Sequence, residues 1–220
     1  MPLNASELAT GSLFGVALNY QGLLAGRLDE FGQPPYQKPP VKPVLFIKTS
    51  NTRNGNGQAV IAPSGERLQP GPALGVVIGS DASRVSAERA LEHVAGYVLV
   101  NEFSLPEDSY YRPAVKAKCR DGFCAIGDEV VPVDAVPEPG RLELRLLVNG
   151  EVRQQNTTAN LVRGIGQLIA ELSEFMTLHK GDVLITGTPE GRVDVQPGDE
   201  VVVEIDGLGR LTNHIVAEEA

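Results

Sequence analysis

Apolar positions along this chain come mostly in short runs with the length and rhythm of β-strands. Leu13 to Leu18 and Val44 to Lys48 are apolar stretches bounded by polar residues, proline or glycine, and each predicts a strand. Leu74 to Gly79 (LGVVIG) and Gly96 to Val100 (GYVLV) are almost unbroken, which predicts strands buried on both faces. Leu142-Glu143-Leu144-Arg145-Leu146 alternates with period two and continues through Val148 into Asn149-Gly150, a strong tight-hairpin signal. Lys180-Gly181-Asp182-Val183 and Pro197-Gly198-Asp199-Glu200-Val201 share one device, a Gly-Asp turn launching a β run.

Helical patterns occur twice. Ser86 is placed to cap a short helix reaching about His93, its hydroxyl accepting otherwise unpaired N–H groups. A longer helix is predicted from about Ala159 to Leu178, where Leu161, Ile165, Leu168, Ile169, Leu172 and Phe175 fall on one face. Gly164 and Gly166 weaken it locally, by roughly 1 kcal/mol each relative to alanine. Residues 27–43 (RLDEFGQPPYQKPPVKP) contain five prolines and no core period, so they predict a loop or lid. Many strands, few helices and no strict βαβ alternation predict an α+β or mostly-β fold, and 220 residues suffice for one sizeable domain or two small ones.

A composition of 42% hydrophobic and 21% charged residues is that of an ordinary globular protein. The net charge of −9 argues against nucleic acid or an anionic membrane as partner. No run approaches the ~18 apolar residues of a bilayer span, and the first residues lack the pattern of a secretory leader. Two cysteines imply no disulfide framework, so a cytoplasmic protein is expected.

Both cysteines lie in Lys118-Cys119-Arg120-Asp121-Gly122-Phe123-Cys124, at a spacing unlike the C-x2-C of zinc or redox sites. The three histidines, His93, His179 and His214, are scattered, and the cysteines read as incidental. The cations there are denser: Arg112, Lys116, Lys118 and Arg120 fall within nine residues, against 19 Lys and Arg in 220 overall. If extended, Lys116, Lys118 and Arg120 would share one face. Two readings stay open, a receptor for carboxylates and a solvated edge strand. Lys48 at a strand end, the Thr186-Gly187-Thr188-Pro189 turn after Val183-Leu184-Ile185, and Glu102 after a buried-looking run are further candidates.

The ordered segments GVALNY (15–20), PVLFIKTSNT (43–52), VVIG (76–79), AGYVLVNEFS (95–104), KAKCRDGFCAIG (116–127), VNGEVRQQNTT (148–158) and LSEFMTLHKGDVLITGTPEG (172–191) resemble the fumarylacetoacetate hydrolase family. The resemblance implies an α+β fold, a mixed β-sheet roll with peripheral helices, in a single domain over residues 1–220. It also implies a site that binds a 2-oxo acid through a divalent Mg²⁺ or Mn²⁺ ion, lysine and threonine. Lys48, Lys118 and Thr188 occupy the matching positions, with Lys116, Arg120 and Phe123 around the substrate loop. The 101–124 segment resembles a branch that decarboxylates and isomerises unsaturated 2-oxo dicarboxylates and tricarboxylates in 4-hydroxyphenylacetate (homoprotocatechuate) catabolism. Members of that branch pair two homologous halves, fused or separate, so a homologous metal-bearing subunit or a second copy is the expected partner.

The departures from the family pattern bear on the chemistry. Two of the three usual metal-ligand positions are Gly71 and Ala73, and the third is Glu102. Hard cations need several oxygens, so no metal is expected to be bound by this chain. Leu23 stands where the family's water-activating histidine would be, which disfavours a metal-dependent acylpyruvate hydrolase. Decarboxylation and tautomerisation remain, with Lys118 and Lys48 stabilising an enolate and Glu102 carrying the proton. The alternative is a catalytically degenerate scaffold subunit.

Overall fold

The computed structural model describes residues 2–219, and its centre is the strand pair Pro72–Ile78 and Val94–Glu102. Both strands are apolar at nearly every position because both of their faces are covered. Leu74, Val76 and Ile78 point with Tyr97 and Leu99 into the larger core. Ala73 and Val77 point with Val98 and Val100 the opposite way, into a smaller core that also contains Ala5, Ala9, Leu13, Val183 and Ile185.

A nine-stranded sheet extends from this pair. Beyond Pro72–Ile78 lie Val183–Ile185, Leu13–Ala17 and the edge strand Val44–Lys48. Beyond Val94–Glu102 lie Glu129–Pro132 and Leu3–Asn4, while Cys124–Ile126 and Arg53–Gly55 continue from its C-terminal end. A five-stranded sheet runs Glu151–Thr157, Glu143–Val148, Glu200–Ile205, Gly209–Ala217 and Ala59–Ala62. Its Leu144, Leu146, Val201 and Val203 share the larger core with the big sheet. The result is the mixed α+β roll that the sequence predicts. No helix among the described residues is long and apolar enough to cross a membrane.

The predicted strands and the Asn149-Gly150 hairpin are present; both turn residues have positive φ (52° and 81°), as a type I′ turn requires. The helices needed correction. Residues 86–93 form turns and a 3₁₀ segment, Ala90–His93, instead of an α-helix. The long helix is confined to Ile165–Ser173. Gly164 is extended at its start, and at its end the backbone N–H of Arg84 takes the Ser173 carbonyl at 2.7 Å. Phe175 therefore falls beyond the helix and is exposed, not part of its apolar face. Residues 27–43 include a helical turn, Leu28–Phe31, and Phe31 is buried edge-on to Tyr36 at 5.0 Å.

Gly166 shows tertiary sterics opposing propensity. A Cβ there would meet the Ala87 carbonyl oxygen at 2.6 Å, so the glycine lets the helix approach the 80s loop. Helix propensity alone would have Gly166→Ala stabilise by ~1 kcal/mol. We expect it instead to destabilise by about 1–3 kcal/mol through overpacking against backbone. Urea unfolding decides, and a raised midpoint would show that the contact relaxes at no cost.

Candidate active site

Glu102 ends the central strand and is fully buried. A carboxylate in that position needs charge partners, since burial of an unpaired ion costs several kcal/mol. Three cations supply them. Lys48 Nζ lies 2.7 Å from Oε1 and Lys118 Nζ lies 3.1 Å from Oε2, while the Arg192 guanidinium also bonds Oε2. Burial alone would raise the Glu102 carboxyl, but Lys118, Lys48 and Arg192 together outweigh it and hold it well below the usual range. For Lys48 the balance reverses. Burial lowers its ammonium, and its share of one carboxylate does not restore the ordinary value.

Lys48 comes from the end of the edge strand, where its neighbours fix it. Its ammonium donates to the Phe103, Lys118 and Phe123 carbonyls at 2.6, 2.8 and 3.0 Å. It sits beneath Glu102 and does not border the cleft above. Lys118 does border it. Its ammonium is 2.9 Å from Glu107 Oε2, 3.4 Å from Ser104 Oγ and 4.4 Å from the Phe46 ring centroid, a cation–π contact.

Thr188 reaches the same cleft through the turn after Val183–Ile185. Gly187 there has φ 122°, and a Cβ would meet the Val16 carbonyl oxygen at 2.9 Å, so only glycine lets the turn lie on the strand Leu13–Ala17. The Asn19 amide fastens it, donating to the Thr186 carbonyl at 2.8 Å. The cleft at Lys118 is small, about 30 Å³, and opens beside a cavity of about 330 Å³. Leu23, Glu107, Tyr110 and Arg192 border both.

The structure thus brings together Lys48, Glu102, Lys118 and Thr188, and separates two other expected residues from them. Residues 115–118 form a helical turn, not an extended strand, so successive side chains diverge. Lys116 is exposed and bonds Glu66 at 3.1 Å, and Arg120 points to the same glutamate at 3.9 Å. Neither borders the cleft. Phe123 is buried core, contributing its carbonyl to Lys48. Glu102, tied on both oxygens and held ionised, suits a fixed charge and not the proton carrier expected of it. Arg192 and Glu107 were missed: Arg192 lies four residues past Thr188, just beyond the 172–191 segment, and Glu107 three past Ser104, within the 101–124 segment.

The donor set does not fit a divalent metal. Among the described residues no group of three His, Cys, Asp or Glu side chains converges to hold one. At position 71, where the resemblance leads one to expect a carboxylate, a Cβ on Gly71 would lie 2.8 Å from Arg192 Nη2 and 2.8 Å from Thr188 Oγ1. Three cations already occupy Glu102, and a dication would be repelled by all of them.

The β-roll gathers Lys118 and Thr188 beside one buried carboxylate, Glu102. The chain matches the Fumarylacetoacetate (FAA) hydrolase C-terminal family over residues 12–216 and belongs to it. It is 44% identical over 209 residues to the 4-hydroxyphenylacetate degradation bifunctional isomerase/decarboxylase of Salmonella dublin, covering 95% of this chain and 48% of that protein. It therefore spans about half the length of that relative. The fold matches a 5-carboxymethyl-2-hydroxymuconate delta-isomerase from Mycobacterium smegmatis with TM-score 0.83 and 32% identity, over 97% of this chain and 81% of that one. It also matches a fumarylpyruvate hydrolase from Pseudomonas aeruginosa, solved with Mn²⁺ and pyruvate, with TM-score 0.81 and 26% identity, over 96% and 91%.

Because three cations depend on one carboxylate, Glu102→Gln should cost about 3–5 kcal/mol at neutral pH. The folded carboxyl lies below the ordinary value of ~4.3, so its contribution is fully present above that pH. It is lost as pH falls through the folded value. Acid titration of unfolding free energy should accordingly show a shallower acid limb for Glu102→Gln than for the native protein. Parallel acid limbs would mean that the ion cluster does not stabilise the fold.

Proposed function

We propose that this chain is one half of an isomerase/decarboxylase acting on unsaturated 2-oxo dicarboxylic acids. Its reactions would be those of a 5-carboxymethyl-2-oxo-hex-3-ene-1,7-dioate decarboxylase and 2-hydroxyhepta-2,4-diene-1,7-dioate isomerase, in 4-hydroxyphenylacetate (homoprotocatechuate) breakdown. The observation that carries the reading is the cationic cleft of Lys118 and Arg192 beside a cavity of small-molecule size. The identity to a protein named for that activity supports it.

Both reactions pass through the same kind of intermediate. Loss of CO₂ drives electrons toward the 2-oxo oxygen and leaves a dienolate; tautomerisation reaches an enolate by removing a proton from one carbon and returning it to another. The protein's part is to receive negative charge on that oxygen, and Lys118 and the Thr188 hydroxyl are placed to donate to it. Glu107 is our candidate for moving the proton, since it touches Lys118 and, unlike Glu102, borders the open cavity. Hydrolysis is not supported, because Leu23, which lines the cavity where the family keeps its histidine, has no group to activate water.

A second reading is a scaffold half that supports a metal-bearing homologous partner or a second copy of itself. It is favoured by the narrowness of the Lys118 cleft, about 30 Å³ with Glu107 across it. The two readings separate by measuring turnover of the 2-oxo-hexenedioate by this chain alone and mixed with a homologous half. If chemistry resides here, Lys118→Met should abolish turnover in an intact assembly and weaken binding of a 2-oxo dicarboxylate by on the order of 2 kcal/mol. Undiminished turnover by a folded Lys118→Met assembly would make this half the scaffold.

A further inference from the structure

Arg192 is the cation of the site that the sequence reading did not find. Its Nη1 donates to the Glu102 carbonyl at 3.2 Å and to the Gln69 carbonyl at 3.4 Å, and its Nη2 to the Glu102 carboxylate. A guanidinium carries five N–H donors, and these bonds use three. It borders both the cleft and the larger cavity. Within the ion cluster three cations, Lys48, Lys118 and Arg192, face two carboxylates, Glu102 and Glu107, an excess of one positive charge, while Arg27, Asp108 and Glu190 also line the larger cavity.

The guanidinium is there because Gly71 has no side chain. A Cβ on Gly71 would stand 2.8 Å from Nη2 and 2.6 Å from the Glu102 carbonyl oxygen. The space that a ligand side chain at 71 would fill is the space the arginine uses.

We propose that Arg192 serves as the permanent cation of this site. It receives the carboxylate and adjacent oxo oxygen of the 2-oxo acid where a metal-dependent relative would use a divalent ion. This rests on the 2-oxo dicarboxylate reading above. Three features make the exchange physically sound. The guanidinium stays charged at any working pH and presents a planar fork that matches a carboxylate. Bonds to Glu102 and to the Gln69 carbonyl hold it in place and leave two of its five donors unused, in a side chain that borders the cavity. One carboxylate taken up balances the single positive charge that Lys48, Lys118 and Arg192 carry over Glu102 and Glu107.

The test uses the full chain and calorimetric titration with 2-oxoadipate, a stable 2-oxo dicarboxylate, in the presence of EDTA and separately of Mn²⁺. The native protein should bind with the same affinity in both. Arg192→Met should lose roughly 10- to 100-fold. Arg192→Lys, which keeps a partner for Glu102 but lacks the fork, should lose about 10-fold. Should Arg192→Met fail to fold, Arg192→Lys alone decides. Native affinity in either folded variant, or native binding that requires Mn²⁺ and vanishes in EDTA, overturns the proposal. Binding of 2-oxoadipate that depends on Arg192 and ignores EDTA, without turnover of the hexenedioate, would leave this inference standing and remove the proposed reaction. Turnover that is lost in EDTA and retained by Arg192→Lys would do the reverse.

Discussion

The structure around the site depends on one buried carboxylate. Glu102 sits at the end of the most protected strand, and everything near it is arranged to keep its charge matched. Lys48 arrives from the sheet edge, Lys118 from a helical turn, and Arg192 from the segment after the Thr186–Thr188 turn. These four residues span 48 to 192 in the chain, so the cluster forms only when the roll has closed. The cost of an unmatched ion in that position is comparable to a large part of a domain's net stability. Site and fold are therefore one energetic object.

Within the cluster the members have different freedom. Lys48 is sealed beneath Glu102 by three carbonyls and holds the carboxylate in place. Lys118 and Arg192 border the cleft. Glu107 closes it, on a segment whose Tyr110 N–H donates to Tyr36 Oη at 2.6 Å and whose Glu107 carbonyl accepts from Arg27 at 3.3 Å. The proline-rich residues 27–43 thus share contacts with the loop that carries the cleft's closing carboxylate.

Much of this was legible in the sequence, for identifiable reasons. Strands such as Pro72–Ile78 and Val94–Glu102 are buried on both faces, and their apolar runs say so directly. Lys48, Lys118 and Thr188 were accessible through family resemblance. What failed did so where local pattern and tertiary context disagree. Lys116, Lys118 and Arg120 alternate like a strand, yet the backbone turns helical at Val115–Lys118 and sends Lys116 to Glu66 and Lys118 inward. The helix from 159 was cut short because Arg84, seventy or more positions away, takes the carbonyl that would have continued it. Arg192 gave no signal of its own, since one arginine after a Gly-rich turn looks like any solvated cation. Its role depends on an empty volume at Gly71, which no pattern of neighbours encodes.

That empty volume also orders events in the history of such a site. A side chain at position 71 would crowd the Glu102 carbonyl oxygen at 2.6 Å and the Arg192 Nη2 position at 2.8 Å, so the guanidinium or the backbone would have to shift. An arginine arriving first at 192 would have to point elsewhere, and a side chain regained at 71 would evict one already in place. Glycine at 71 is thus a gate that must open before the arginine can settle and that cannot easily close behind it.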